Sequence, residues 1–381
     1  CTKSKYNFTK QEIISRLESK LRPIMTKIPN ELFVSFYSNQ KKKFLQNFAA
    51  DYSKFDLEIE NYPPLKIWDL EFSFPLFNSA GMFKKAEAYY TVAKQGAGAW
   101  LAGTSTGLKR QGNFRNGVLH PFSAFPRSGS SLNWMGLPNE SHEVLAKRIS
   151  RLEKQKGTPI GVSLSTDSVV SEKKALELLV DGLKTYEKAG VDFFEINESC
   201  PNVQEGHEII NDRLDESLIK RLEFISENFI KVKDKRSPLI VKLSLDTDID
   251  LIDPMVKILI DLGFDGINLG NTSTNYSEIE KQININERNL FNHFIKTFGG
   301  GASGRPLKNK SLNLASKAVQ ASNNTSSEFK IIRTGGIENV EDLKSSLNKG
   351  IKINQWYTGY FSAFSIYGHK LYNHFKKQMI S

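Results

Sequence analysis

Eight short apolar runs, each ending in small or polar residues, dominate the chain from about residue 65 onward. They cover 75–81, 99–104, 159–164, 193–197, 239–243, 266–269, 329–334 and 353–358. Helical patterns fill most of the intervals, among them 172–189, 215–230, 249–262 and 307–320. An apolar run of four to eight residues suits a strand buried on both faces. Strands that alternate with helices pair in parallel through crossovers. Eight such units predict an α/β fold, a closed (β/α)8 TIM barrel. The rival, a doubly wound open sheet, needs a glycine-rich dinucleotide turn after its first strand, and none follows 75–81.

Residues 9–50 read differently. Ile13, Ile14, Leu17, Leu21, Ile24 and Ile28 recur at helical spacing, and Thr9 precedes Glu12 as in a capping box. Pro29 fits the start of a second helix, which carries Leu32, Phe33, Phe36, Tyr37, Phe44, Leu45 and Phe48, with Lys41-Lys42-Lys43 on its polar face. The expected organisation is an amphipathic two-helix extension over 1–60 and a catalytic barrel over 61–381. The helices either pack on the barrel or lie at a membrane interface, aromatics in lipid and lysines at the headgroups.

Composition narrows the class. The chain has 381 residues, 39% of them apolar, enough for a sizeable core. Two cysteines, Cys1 and Cys200, make no disulfide framework, and a reducing compartment is expected. An opening Cys1 rather than Met is the expected mark of trimming upstream. No run of eighteen apolar residues predicts a spanning helix, and no zinc-ligand spacing or P-loop occurs. The net charge of +10 comes from lysines spread along the chain, which reads as a solvated surface rather than a nucleic-acid footprint.

In such a barrel the C-terminal strand ends converge on one site. Here the first strand ends in Asn78-Ser79-Ala80-Gly81-Met82-Phe83-Lys84, and the second in Gly103-Thr104. The fourth ends in Asn197 and leads to Cys200, the fifth carries Lys242, and the sixth leads to Asn271-Thr272. Gly335-Gly336 and Tyr357-Thr358-Gly359 end the last two, where backbone N–H groups approach a phosphate closely. Lys84 and Lys242 supply cations, and Asn133, Asn197, Asn202 and Asn271 supply neutral donors and acceptors. A phosphate-bearing cofactor and a flat, anionic, amide-rich ligand are expected. A thiol such as Cys200 serves as nucleophile or base where thiolate is favoured; a lone Cys beside a turn is more often a small buried residue.

These residues resemble the dihydroorotate dehydrogenase family over residues 65–368. The likeness rests on Ser79-Ala80-Gly81-x-x-Lys84, Asn133-Trp134-Met135-Gly136-Leu137-Pro138-Asn139, Asn197-x-x-Cys200-Pro201-Asn202, Asn271-Thr272, the run from Gly299 to Leu307, and Thr334-Gly335-Gly336-Ile337. The resemblance implies an FMN enzyme that oxidises dihydroorotate to orotate in pyrimidine synthesis. It implies Ala80, Gly81, Lys84, Thr104, Ser163, Asn197 and Lys242 around the flavin, and Gly304, Gly336, Tyr357 and Thr358 at its phosphate end. Lys84, Asn133, Met135, Gly136, Leu137, Asn197, Asn202, Asn271 and Thr272 would bind substrate. Cys200 would be the base, assisted by Lys84. Ser163 stands where many members carry Asn.

Features of two branches are mixed. The N-terminal helices, the early Lys84 and Ser303-Gly304-Arg305-Pro306-Leu307 are similar to the membrane-associated branch that reduces quinone. A Cys base is similar to the soluble branch. The family's Gly-Asn-Pro-x-Pro-Arg stretch is here Gly112-Asn113-Phe114-Arg115-Asn116-Gly117, without prolines. The helices weigh more, so the expectation is a quinone acceptor and a peripheral place on the cytoplasmic side of a membrane. The alternatives are a cytoplasmic enzyme with a soluble acceptor such as fumarate or NAD, an FMN enzyme like tRNA-dihydrouridine synthase, and a flavin- or membrane-binding protein without activity. The RNA enzyme normally carries a further domain after the barrel, whereas only a short helix follows the eighth strand here. A dihydropyrimidine dehydrogenase would need iron–sulfur cysteines, which the sequence lacks.

Overall fold

A computed structural model of the chain describes residues 7–198, 216–232, 236–323 and 328–380. All eight expected strands form: β1 Leu76–Asn78, β2 Trp100–Ser105, β3 Ile160–Leu164, β4 Phe193–Asn197, β5 Leu239–Leu243, β6 Gly266–Leu269, β7 Lys330–Thr334 and β8 Ile353–Trp356. They make one sheet in the order β1-β8-β7-β6-β5-β4-β3-β2, each neighbouring pair parallel. The ring closes where Gly81 N–H donates to Gly103 O at 2.7 Å and Gly103 N–H to Phe83 O at 3.1 Å. This is the (β/α)8 barrel that the alternating pattern predicts.

Because strand side chains alternate, each strand feeds two cores. Outward residues such as Leu76, Ala102, Val162, Ile196, Val241 and Ile267 pack against the helices. Inward residues Phe77, Leu101, Phe193, Ile240, Ile332 and Ile353 form a separate apolar plug. The antiparallel pair Leu65–Ile67 and Leu70–Phe72 closes that plug from below through Ile67 and Phe72, and Trp68 Nε1 donates to Asp265 O at 3.2 Å. The next inward positions on the same strands are polar: Glu195, Lys242, Thr334 and Gln355. The barrel floor is therefore greasy at its base and charged above it. That change of chemistry locates the site. Above the barrel, three strands that the apolar runs do not predict, Phe122–Phe125, Ser130–Asn133 and Gly301–Gly304, pair antiparallel.

The two N-terminal helices form, α1 as Lys10–Met25 and α2 as Asn30–Phe48, and the Thr9–Glu12 capping box is present. Their orientation corrects a simple reading of their faces. The buried residues of α1 are Gln11 and Glu12, while Ile13, Ile14, Leu17, Leu21, Ile24 and Ile28 are exposed. Helix α2 docks by Phe33, Val34, Tyr37 and Phe48, but leaves Leu32 and Phe36 outside. Of the four Phe expected on or near one apolar side, Phe33 and Phe48 are buried and Phe44 is partly buried against the core, while Phe36 lies at the exposed margin. Phe48 stacks on Phe83 at 6.2 Å and meets Phe364 edge-on at 5.3 Å, tying α2 to the barrel. Lys41 belongs to the inward side, not to the expected solvated face with Lys42 and Lys43. A polar cluster fixes α1. Glu12 accepts from the backbone N–H groups of Thr9 at 2.7 Å and His369 at 3.0 Å, and Thr9 Oγ1 donates to Asp51 at 2.8 Å. Two more helices, α3 Thr358–Tyr367 and α4 Leu371–Ile380, close the described chain.

Candidate active site

The inward positions at the C-terminal strand ends surround one cavity, open to solvent at its mouth. Its floor is an ionic network. Lys242 Nζ donates to Glu195 Oε1 at 3.2 Å, and both side chains are buried. Asn268 Nδ2 and Gln355 Nε2 donate to Glu195 Oε2 at 2.7 and 2.9 Å. Thr334 Oγ1 reaches Asn268 Oδ1 at 2.9 Å and Gln355 Oε1 at 3.1 Å. A buried carboxylate is tolerable only when its charge is paired and its lone pairs are occupied, and this one meets both conditions. The result is a buried lysine held at the floor, where it lines the cavity.

One wall is a chain of amides and hydroxyls. Thr104 Oγ1 and Ser163 Oγ lie 3.1 Å apart, and Asn197 Nδ2 donates to Thr104 Oγ1 at 3.2 Å. Asn271 Nδ2 donates to Asn197 Oδ1 at 3.2 Å, and Thr272 N–H to Asn271 Oδ1 at 2.9 Å. Thr272 Oγ1 is buried and has no hydrogen-bond partner among the described residues. It lines the cavity, so a polar ligand atom there would satisfy it. Lys84 also lines the cavity and donates to Met135 Sδ at 3.2 Å.

The opposite corner is built from glycines and hydroxyls. Ser131 and Ser303 hydroxyls are 2.8 Å apart, and each approaches Thr358 Oγ1, at 3.2 and 3.1 Å. Gly336 has φ +72°, and a Cβ there would stand 2.3 Å from Lys308 Cα. At Gly359 a Cβ would stand 1.9 Å from Ile337 O. Neither place admits a side chain, so the backbones close up around the corner. Helix α3 begins there without a side-chain cap, which leaves first-turn N–H groups for an anion. Hydroxyls, backbone donors and a helix N-terminus fit one phosphate group.

Of the residues expected at the site, Ala80, Gly81, Lys84, Thr104, Asn133, Met135, Leu137, Asn197, Lys242, Asn271, Thr272, Gly304, Gly336, Tyr357 and Thr358 line this one cavity. Ser163 does not; it touches the wall through Thr104. Gly136 sits between two lining residues without lining the cavity itself. Cys200 and Asn202 lie outside the described residues. No site role was read from the sequence for Ser303 and Leu307, although both stand in the Ser303–Leu307 motif, nor for Trp356 and the partners of Lys242. The polar partners had a signal, since Glu195, Asn268 and Gln355 each interrupt an apolar strand. Among the described residues, no group of acidic, His or Cys side chains is arranged to hold a metal.

The sequence profile described as dihydroorotate dehydrogenase matches residues 64–379. A protein of Nautilia profundicola named dihydroorotate dehydrogenase (quinone) is 28% identical over 303 residues, 77% of this chain and 73% of that protein. An Arthrobacter protein of the same name is 28% identical over 300 residues, 76% of this chain and 78% of its own. Among solved structures, ligand-free DHODH from Eimeria tenella superposes with a TM-score of 0.72 at 22% identity, covering 89% of this chain and 93% of that one. At that identity the superposition speaks for the fold.

Proposed function

The chain belongs to the dihydroorotate dehydrogenase family, and we propose that it oxidises dihydroorotate to orotate in pyrimidine synthesis, with a quinone as electron acceptor. The observation that carries this reading is the convergence of Lys84, Lys242, three asparagines and a phosphate-shaped corner on one cavity. Dihydroorotate is a cyclic ureide bearing a carboxylate, and its product orotate is flat. Asn133, Asn197 and Asn271 match its amide edges, and Lys84 its charge. The cofactor is FMN, whose single phosphate suits Ser131, Ser303, Thr358 and the start of α3. When bound, the flavin supplies the hydride acceptor. Lys242, fixed by Glu195, places a cation where negative charge would develop. Cys200 accepts the substrate proton; this assignment rests on the Asn197-x-x-Cys200-Pro201-Asn202 motif.

The N-terminal helices support a membrane-borne acceptor. No helix among the described residues is long and apolar enough to cross a membrane. Helix α1 turns Leu17, Leu21 and Ile24 outward, at 57, 52 and 64% exposure, against the usual preference of such side chains for the interior. Such a face suits the surface of a bilayer, with Lys42 and Lys43 at anionic headgroups. Two measurements test the reading. Mass spectrometry of ligand released by denaturation should find FMN, and anaerobic dihydroorotate should bleach the yellow protein. FAD, or a flavin that dihydroorotate leaves oxidised, would contradict it.

A further inference from the structure

Helix α2 turns one of three consecutive lysines toward the barrel. Lys42 and Lys43 are exposed, whereas Lys41 is partly buried. Lys41 Nζ lies 4.1 Å from the centre of the Phe122 ring, 4.9 Å from that of Tyr357 and 3.8 Å from Met135 Sδ. Met135 and Tyr357 both line the cavity. The amine thus stands behind the cavity wall, on the side that the N-terminal helices cover. Lys84 reaches the same sulfur from within the cavity.

The charged and titratable groups around Lys41 are Lys84, its helix neighbour Lys42, His120 and the Tyr357 phenol. Among the described residues no carboxylate pairs with Lys41. Enclosure disfavours its charged form and the Lys84 charge adds to that, so its pKa is held well below the ordinary lysine value. The two aromatic rings act the other way, stabilising the ammonium. His120 is also held down, first by burial and then by Lys84, Lys42 and Lys41. Tyr357 is pushed up by burial and stays a neutral phenol. An amine in this setting exchanges its proton far more readily than a surface lysine.

We propose that Lys41 is the acceptor-side acid of the enzyme, giving a quinone carbonyl oxygen the proton it needs to become a quinol. The proposal rests on the quinone reaction argued above. The quinone gains two electrons and two protons. One proton arrives with both electrons as the hydride from the reduced cofactor. The other comes from Lys41: its N–H bond breaks, an O–H bond forms on the acceptor, and solvent reprotonates the neutral amine.

The test compares two acceptors in the full-length protein. Ferricyanide takes single electrons and needs no proton, whereas a short-chain quinone needs one. Lys41→Met should lower the ratio of quinone to ferricyanide turnover at least about tenfold, at the modest end of what general acids contribute. Lys41→Arg should lower it similarly, because a guanidinium keeps the charge but does not release a proton at neutral pH. In Lys41→Ala, added ethylamine should restore part of the quinone rate. Independently of turnover, ¹³C-methylation of the lysines should reveal one NMR signal that titrates well below the others and is absent from Lys41→Met. Equal loss with both acceptors, full quinone turnover in Lys41→Arg, or a Lys41 signal titrating with the surface lysines would each overturn the assignment. Wild-type protein that dihydroorotate does not reduce would remove the parent reaction as well, a result distinguishable before any variant is made.

Discussion

The barrel floor and the N-terminal cap both bury charge, yet they are organised in opposite ways. In the floor, Lys242 and Glu195 are enclosed by a polar layer resting on an apolar plug, and Lys242 and Thr334 of that layer line the cavity. In the cap, Glu12, Asp51 and His369 are buried while the apolar residues of α1 face out. The floor is finished by contacts within the barrel. The cap is held by a polar latch and presents a greasy face to its surroundings. A region whose apolar face points away from its own core is shaped by something else, and the function proposed above supplies a membrane surface and an apolar acceptor as the reason.

The sharpest way to break this comparison is to cut each buried cluster. Glu195→Ala leaves Lys242 buried without its counter-charge, and should cost about 3–5 kcal/mol. Chemical denaturation would read this, and a loss under 1 kcal/mol would mean that the floor pair is not the buried pair described. Glu12→Ala should cost less, about 1–3 kcal/mol, because it strips acceptors from two backbone N–H groups, those of Thr9 and His369. Its effect should be local: hydrogen exchange should speed up in α1 while β4 and β5 stay protected. Equal deprotection of the strands would show that cap and barrel unfold as one unit.

The latch also carries a pH signature. Burial raises the Asp51 pKa, but hydrogen bonds from His369, Thr9 and Lys54 outweigh it, and the net value lies below the ordinary carboxylate. A depressed acid stabilises the fold above its unfolded pKa of about 3.9. That contribution is lost as pH falls through the lower folded value, so α1 should loosen in acid. If its exchange rates, corrected for intrinsic chemistry, stay constant down to that range, Asp51 does not hold the latch. The smallest change in stability should come from Leu17→Ser or Ile24→Ser, within about 0.5 kcal/mol since both side chains are exposed. Binding to anionic vesicles should nevertheless weaken markedly; unchanged binding would remove the membrane role of this face.

The two regions also differed in how far the sequence disclosed them. Barrel strands declare themselves because burial on both faces gives continuous apolar runs, and strand ends then place Lys84, Asn197, Lys242 and Asn271 together. Helical periodicity showed that α1 is amphipathic but not which way its stripe faces, since that depends on what covers it. Lys41 looked like its neighbours because a run of lysines does not record which one points inward. The strand Ser130–Asn133 is short, and its partner Gly301–Gly304 lies far along the chain, so no local pattern marks the pairing. The Glu195 network likewise draws on β4, β5, β6 and β8. Its members were legible only as polar interruptions of apolar runs.

On the proposed function the barrel oxidises dihydroorotate while the cap opens its flavin to a quinone. The most direct measurement is dihydroorotate oxidation by the full-length protein, supplied in parallel with a short-chain quinone, fumarate and NAD, with orotate formation followed in each. Quinone should support turnover at least about tenfold faster than either soluble acceptor, the equivalent of about 1.4 kcal/mol in barrier. Faster turnover with fumarate or NAD would contradict it and leave the cap as a packing or assembly surface.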